Sequence, residues 1–388
     1  MAKKLFFIFG IFFILSTLFF WQKISGDKLK KPSVFSQITI SPKPVNTKKL
    51  AEDNEKKTLP EKKSIFVPYW NLADDLKTSL YDRYFYFGVA FNQNGLDKNE
   101  IGFLNLEKFI ALTEGKKKYL TLRLLDDDFN RILMEDETLQ DLIIKETKEI
   151  LEKFLFEGIL IDLELKEGFG FSSEKLVDNL NQFYQRFYQA IKEENKEFLI
   201  VIYGDNFYRK RPYDLKFLSK NTDEVIIMAY DFHKSRGEPG ANFPLAGREK
   251  YGYDLKTMIN DFSLFLPPDK ITVAFGMYGY DWLVDEKKRP INQAKALTLK
   301  KIKEEFLVAS DEGSFSCKKP NCLISRDKLS EETEINYVIS SSLPDDQGVY
   351  RLNYHILWFE DERSVEAKIN YLKRRGITSF AFWAWGYF

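Results

Sequence analysis

Along most of the chain, short apolar runs alternate with longer stretches in which apolar residues recur every three or four positions. The runs are Ser64–Trp70 (SIFVPYW), Tyr84–Asn92 (YFYFGVAFN), Lys118–Leu125 (KYLTLRLL) and Gly158–Leu165 (GILIDLEL). They continue at Phe198–Gly204 (FLIVIYG), Glu224–Phe232 (EVIIMAYDF), Ile271–Gly279 (ITVAFGMYG) and Ser379–Trp385 (SFAFWAW). Each is short and rich in Ile, Val, Phe or Tyr, as strands buried on both faces are. Helical periodicity fills the gaps, most clearly at Leu139–Phe156, Glu174–Glu194, Asp254–Phe265, Ala294–Leu307 and Ser364–Arg375. Eight strands separated by helices predict the α/β class and a (β/α)8 TIM barrel rather than an open sheet. The eighth strand ends the chain and must pair with the first. An irregular stretch over residues 308–354 precedes the last helix and reads as a small insertion with short strands of its own.

The pattern is different at the start. After Lys3 and Lys4, residues 5–21 (LFFIFGIFFILSTLFFW) carry no charge. As a helix this run would cover about 26 Å, close to the thickness of a bilayer's hydrocarbon core. Residues 1–21 are therefore expected to be a signal-anchor or a signal peptide. No small-x-small cleavage pattern follows; Trp21, Gln22 and Lys23 stand there instead, which favours an uncleaved anchor. Lysines on both flanks leave the orientation open. Residues 22–63, rich in Lys, Pro and Ser, bury too little to fold and are expected to be a flexible linker. Residues 64–388 form the barrel domain. The expected location is a membrane anchor with the barrel outside the cytoplasm, or secretion if the segment is cleaved.

Charge sharpens this division. The chain carries 58 basic and 58 acidic residues, but 13 of the basic and only 5 of the acidic ones fall within residues 1–63, net +8. The remainder is net −8, which argues against nucleic acid as a partner. Only His233 and His355, with Cys317 and Cys322, are available as soft ligands, so no His/Cys metal cluster and no cofactor are expected. Chemistry, if present, falls to carboxylates and aromatics.

In a barrel of this kind the active site lies at the carboxyl ends of the strands. The fourth strand ends Ile161-Asp162-Leu163-Glu164, placing two carboxylates two residues apart on one side. Such a pair repels, so one member is expected to keep a proton at neutral pH, the way a general acid is held ready. A solvated pair at a strand end would look the same. The sixth strand ends Met228-Ala229-Tyr230-Asp231, and the eighth ends Trp383-Ala384-Trp385. Two carboxylates, a phenol, a further acid and an indole on one rim point to a carbohydrate site.

Four segments in order carry a resemblance. FEGILIDLE at Phe156–Glu164 resembles the D-G-x-D-x-D-x-E strand of glycoside hydrolase family 18, the chitinase-like barrels. MAYDFH at Met228–His233 resembles that family's M-x-Y-D-F motif. KITVAFGMYGYDW at Lys270–Trp282 resembles its seventh-strand segment, especially in spore-cortex and other peptidoglycan-type N-acetylglucosaminidases. The stretch His355–Trp383 is similar to the family's final helix and eighth strand. The resemblance implies Glu164 as general acid/base, Asp162 as the carboxylate that orients the substrate's acetamido group, and Tyr230 as the phenol bonded to the acetamido carbonyl. Asp231 and Met228 would line the same subsite, and Trp383 would floor it. Tyr278, Trp282 and Tyr69 are candidates for substrate binding around it.

There are departures. Glu157 and Leu160 stand where the family has two aspartates, so Asp162 lacks an inner carboxylate to share its proton. The serine-glycine-glycine turn of the third strand is replaced by Thr121-Leu122-Arg123-Leu124-Leu125. Arg123 is expected to pair with Asp126–Asp128, or else to meet an anionic group on the substrate. Cys317 and Cys322 are placed to form a disulfide if the barrel is extracytoplasmic. The resemblance implies a glycosidase acting on a polymer containing β-linked N-acetylglucosamine, peptidoglycan ahead of chitin, by substrate-assisted retaining catalysis; a monomer is expected, though the sequence itself is silent on oligomeric state. The alternative is a chitinase-like lectin that keeps the groove and lacks turnover.

Overall fold

The computed structural model describes residues 60–165, 173–309, 315–340, 348 and 350–388. The expected anchor (residues 1–21) and most of the expected linker lie outside them. Among the described residues, no helix is long and apolar enough to cross a membrane.

Eight parallel strands close into a barrel: β1 (Lys62–Pro68), β2 (Arg83–Asn92), β3 (Lys118–Leu124), β4 (Gly158–Leu163), β5 (Glu197–Tyr203), β6 (Glu224–Ala229), β7 (Ile271–Gly276) and β8 (Ser379–Trp383). Closure is made by β1, which pairs with β2 on one side and β8 on the other. Every strand lies within a few residues of the run that predicted it. Helices flank the barrel at Glu137–Lys153, Ser173–Glu193, Leu255–Phe262, Leu299–Phe306 and Glu362–Arg374.

Period-two alternation sorts the side chains. Outward residues such as Ile65, Val67, Ile159, Ile161, Ile200 and Val225 join the helices in one large core. Inward residues Phe66, Phe85, Leu160, Leu199, Ile226, Ala274 and Ala381 fill the lumen. Small residues on β7 and β8 face large ones on β1 and β2, so the interior is a packed core rather than a pore. Below that layer the amino-terminal end is closed by polar groups. Arg83 grips Glu224 with two bonds, Nη1 to Oε2 at 2.6 Å and Nη2 to Oε1 at 2.8 Å, and donates from Nε to Ser64 Oγ at 2.9 Å. Both charges are buried.

Between β7 and the last helix runs a five-stranded antiparallel sheet, ordered Lys295–Thr298, Tyr278–Val284, Leu352–Phe359, Thr333–Ser340, Cys322–Arg326. It takes in the strands foreseen within 308–354 but begins at Tyr278, because the chain leaves the barrel after Gly276 and pairs with Leu352–Phe359. The helix expected over Ala294–Leu307 starts later for the same reason. Lys295–Thr298 pairs with Tyr278–Asp281, and Thr298 then caps the helix by accepting the Lys301 N–H at 3.2 Å. Cys317 and Cys322 form a disulfide that joins the end of strand Phe315–Cys317 to the start of Cys322–Arg326.

Candidate active site

At the carboxyl end of the lumen, alternation from Leu160 brings Asp162 and then Glu164 inward, one above the other. Asp162 is buried and Glu164 is half-buried at the mouth. Tyr203, reached by the same alternation from Leu199 and Val201 on β5, donates its hydroxyl hydrogen to Glu164 Oε2 at 2.6 Å. Burial and the Glu164 charge push the Tyr203 phenol above its ordinary value, which keeps it a donor.

Asp162 Oδ1 is buried with no hydrogen-bond partner among the described residues. Burial, then the charge of Glu164, push the Asp162 carboxyl well above the usual carboxylate range, and Arg123 beside it on β3 only partly opposes them. The expected shared proton is therefore held on the deep member of the pair. The reason is positional: Asp162 lies deep above Leu160 with its Oδ1 unpartnered among the described residues, whereas Glu164 at the mouth accepts a hydrogen bond from Tyr203.

Tyr230 and Trp383 complete the mouth. Burial and the nearby charges of Asp162, Glu164 and Asp231 push Tyr230 well above the phenol range, so it too is a neutral donor. Trp383 stands edge-on to Phe87 at 4.7 Å between ring centres, with Phe66 at 5.5 Å, leaving the half-buried indole at the end of the lumen. The Trp383–Ala384 peptide is cis. Met228 is buried in the lumen. Asp231 sits at φ 57 and is fixed from three sides. Its N–H donates to Asn242 Oδ1 at 2.7 Å, Tyr280 donates to its Oδ1 at 2.8 Å, and Tyr278 donates to the same oxygen. Gly276 makes this possible, since a Cβ there would stand 2.5 Å from the Tyr278 ring and 2.8 Å from Tyr230 Cβ.

One expected substrate contact, Trp282, is placed differently. Trp282 is completely buried among Ala241, Val284, Ala294, Ile356 and Trp358. Its Nε1 donates to Gly237 O at 2.9 Å, so it pins a loop and cannot touch a sugar. Tyr69 lies in the short turn after β1, with the Arg123 guanidinium 5.0 Å from its ring centre. Arg123 pairs with Glu100 at 2.7 Å, not with Asp126–Asp128. Asp126 instead caps the following helix, and Asp128 pairs with Arg131. Alternation along β3 explains it: Arg123 points inward, level with Asp162, away from the loop that carries those aspartates.

Sequence reasoning missed Tyr203, Tyr280 and Trp70. Tyr203 was legible as the last inward position of β5. Trp70 is 47% exposed just past β1, its ring 6.0 Å from Phe87, which in turn touches Trp383. An exposed indole on that rim is a flat apolar surface of the kind sugar rings stack on.

A closed (β/α)8 barrel with two carboxylates one above the other, two phenols and an indole at its carboxyl mouth is the architecture of a carbohydrate-cleaving enzyme. The sequence profile of Glycosyl hydrolases family 18 matches residues 67–387, and the chain belongs to that family. It is 26% identical over 267 residues to the cortical fragment-lytic enzyme of Bacillus anthracis, covering 67% of this chain and 53% of that protein. It is 24% identical over 269 residues to the class V chitinase CHIT5a of Medicago truncatula, covering 64% and 62%. The chain thus spans about half the length of the cortical fragment-lytic enzymes it matches. Among solved structures, the Bacillus cereus spore cortex-lytic enzyme SleL superposes with a TM-score of 0.63 at 19% identity, over 84% of this chain and 71% of that one.

Proposed function

We propose that the protein hydrolyses a polymer of β-linked N-acetylglucosamine, peptidoglycan ahead of chitin, with Glu164 as general acid/base. The observation that carries this is the pair at the mouth: a deep, buried carboxyl, Asp162, whose Oδ1 has no partner among the described residues, beneath a shallower one, Glu164, that accepts a hydrogen bond from Tyr203. In the proposed sequence the proton of the pair passes from Asp162 to Glu164 as substrate binds, leaving Asp162 ionised, and Glu164 delivers it to the bridging oxygen as the glycosidic bond breaks. The substrate's acetamido oxygen, positioned by Tyr230, attacks the anomeric carbon to give an oxazolinium ion whose nitrogen Asp162 stabilises. Glu164 then takes a proton from water, which opens the oxazolinium with net retention. No separate enzymic nucleophile is assigned, since both members of the pair have roles. The buried, satisfied surroundings of Asp231 and the retention of Glu164, Asp162 and Tyr230 together favour turnover over a lectin role.

We also propose that residues 1–21 anchor the protein in a membrane with the barrel outside the cytoplasm. The uncharged run at residues 5–21 supports this, as does the Cys317–Cys322 disulfide, a bond that persists in oxidising compartments. Membrane fractionation of the full chain tests it: recovery in the soluble fraction with residues 1–63 intact would reject the anchor. For the chemistry, the full chain is incubated with peptidoglycan, chitin oligomers and N-glycans, and the released ends are identified. Glu164→Gln should lower turnover by roughly 100- to 10,000-fold, with binding retained. Residual activity near wild type would rule out Glu164 as the acid.

A further inference from the structure

Beside Glu164 the mouth opens into a cavity of about 500 Å3 walled by Glu164, Tyr203, Arg209, Arg211, His233 and Lys234, with Trp383 not on its wall. Three of these, Arg209, Arg211 and Lys234, are cations. Arg209 and Arg211 share a single buried counterion, Asp205, which Arg211 meets at 2.9 Å through Nε and 3.2 Å through Nη2. Arg211 Nη1 has no hydrogen-bond partner among the described residues. The Arg211 guanidinium lies 4.0 Å over the Tyr203 ring, and Lys234 Nζ lies 5.2 Å from the same ring. No carboxylate stands within ion-pair reach of Lys234 among the described residues. Glu238, also on the wall, is exposed and pairs with none of the three cations.

The placement is built rather than incidental. The Arg211 side chain is only 7% exposed, and desolvating a guanidinium is costly unless its donors are used. Lys234 sits on a tight turn closed by Gly237 N–H to Lys234 O at 2.8 Å, and buried Trp282 grips Gly237 O. Ala294 N–H also bonds Ser235 O at 2.7 Å. A neutral chito-oligomer has hydroxyls and amides to offer and needs no spare cation.

The geometry points to a carboxylate subsite: we propose that this cavity receives the leaving-group sugar and that Lys234 and Arg211 bind a carboxylate on it. The inference rests on Glu164 being the acid: the cavity is walled by Glu164 but by none of Asp162, Tyr230 and Trp383, the residues assigned to the acetamido sugar, which leaves it to the leaving group. The bond cleaved would then join N-acetylglucosamine to an amino sugar bearing an acidic ether or an attached acidic peptide. Hydrolysis proceeds as above; the cations hold the leaving sugar and take no part in bond making.

The test compares the full-length wild type with Lys234→Gln and Lys234→Arg on three ligands. These are peptide-free peptidoglycan strands with free lactyl carboxylates, the same strands methyl-esterified, and a neutral chito-oligomer. The ratio of kcat/KM on acidic strands to that on the neutral oligomer should fall about tenfold in Lys234→Gln, the loss of one charge-assisted hydrogen bond, and recover in Lys234→Arg. Esterification should cost the wild type a similar factor, and added salt should erode the preference. Peptide-bearing strands, whose lactyl group is an amide and whose carboxylates lie on the peptide, tell which carboxylate is read. Binding is measured in parallel on Glu164→Gln with and without Lys234→Gln. If no ligand is hydrolysed but the affinity difference persists, the glycosidase reading fails and the subsite stands. Equal affinity for acidic and esterified strands, or an equal loss on all three ligands in Lys234→Gln, would overturn the subsite alone.

Discussion

Tyr203 and Glu164 are joined by a 2.6 Å hydrogen bond in which the phenol donates. The donor is rigid, since its ring is held by the Arg211 guanidinium on one face and it stands on a barrel strand rather than a loop. A fixed donor leaves the second carboxylate oxygen of Glu164 to meet the bridging oxygen of a substrate.

Tyr203→Phe should therefore lower kcat on the preferred polymer by about ten- to a hundredfold, the worth of a hydrogen bond to a charged group, with a smaller change in KM. The ring and its packing remain, so thermal unfolding should be nearly unchanged. A loss confined to KM would assign Tyr203 to binding and not to the acid.

A second expectation concerns where the proton rests. The Asp162 carboxyl is pushed well above its ordinary value by burial and by Glu164, so the folded protein should keep a neutral carboxyl at pH values where ordinary aspartates are ionised. Infrared difference spectra should show a protonated-carboxyl band that Asp162→Asn removes. The sign of the stability effect follows. A folded pKa above the unfolded value of 3.8 means the native state binds the extra proton, so this group's contribution declines as pH rises above 3.8. Asp162→Asn should flatten that decline while cutting kcat by orders of magnitude.

Much of this site was legible because alternation in strands is strict. Asp162, Glu164, Tyr230 and Trp383 all stand at carboxyl ends of apolar runs, and the barrel's closure brings those ends together. What the pattern does not carry is the direction of a chain once it leaves the barrel. Trp282 follows Tyr278 and Tyr280 at the same spacing, yet only the two tyrosines reach Asp231, while the tryptophan is sealed beneath the inserted sheet. Arg123 went astray for the opposite reason. Its nearest acids in sequence lie on the next loop, whereas its partner Glu100 comes from another connection.

The polar floor of the barrel offers a test of stability. Burial, the largest effect, would raise the Glu224 carboxyl, but the charge and hydrogen bonds of Arg83 more than offset it and hold it below the usual carboxylate value. Removing one partner leaves the other charged and buried, so Glu224→Gln or Arg83→Met should each cost about 3–5 kcal/mol of unfolding free energy. In the wild type the contribution is complete above the unfolded pKa of 4.5 and is lost as pH falls through the lower folded value. Denaturant titration at neutral and acidic pH reads both effects. Full stability in Glu224→Gln would mean that water reaches this floor.

A second buried charge cluster bears on the position of Asp231. Lys368, in the last helix, is fully buried, with Glu332 Oε1 at 2.8 Å and Glu360 alongside. Glu332 accepts the N–H groups of Asn242 at 2.5 Å and Phe243 at 2.8 Å, and Asn242 holds the Asp231 N–H. Burial raises Glu360 to about 8 despite Lys368, with Glu332 adding to the rise. Because the folded value exceeds the unfolded 4.5, stability from this group declines as pH climbs from 4.5 to about 8 and is flat beyond. Glu360→Gln should abolish that slope, seen as a Tm that changes less over the same range. Glu332→Gln keeps the shape but weakens the grip on Asn242, so it should lower kcat/KM severalfold in protein that circular dichroism shows to be folded. If Glu332→Gln unfolds the chain, the milder Asn242→Ala, which leaves the buried charges intact and frees the Asp231 N–H and the Gly276 and Tyr278 carbonyls, should give the same kinetic loss. Wild-type kinetics in both variants would show that Asp231 is held by Tyr278 and Tyr280 without help from the cluster.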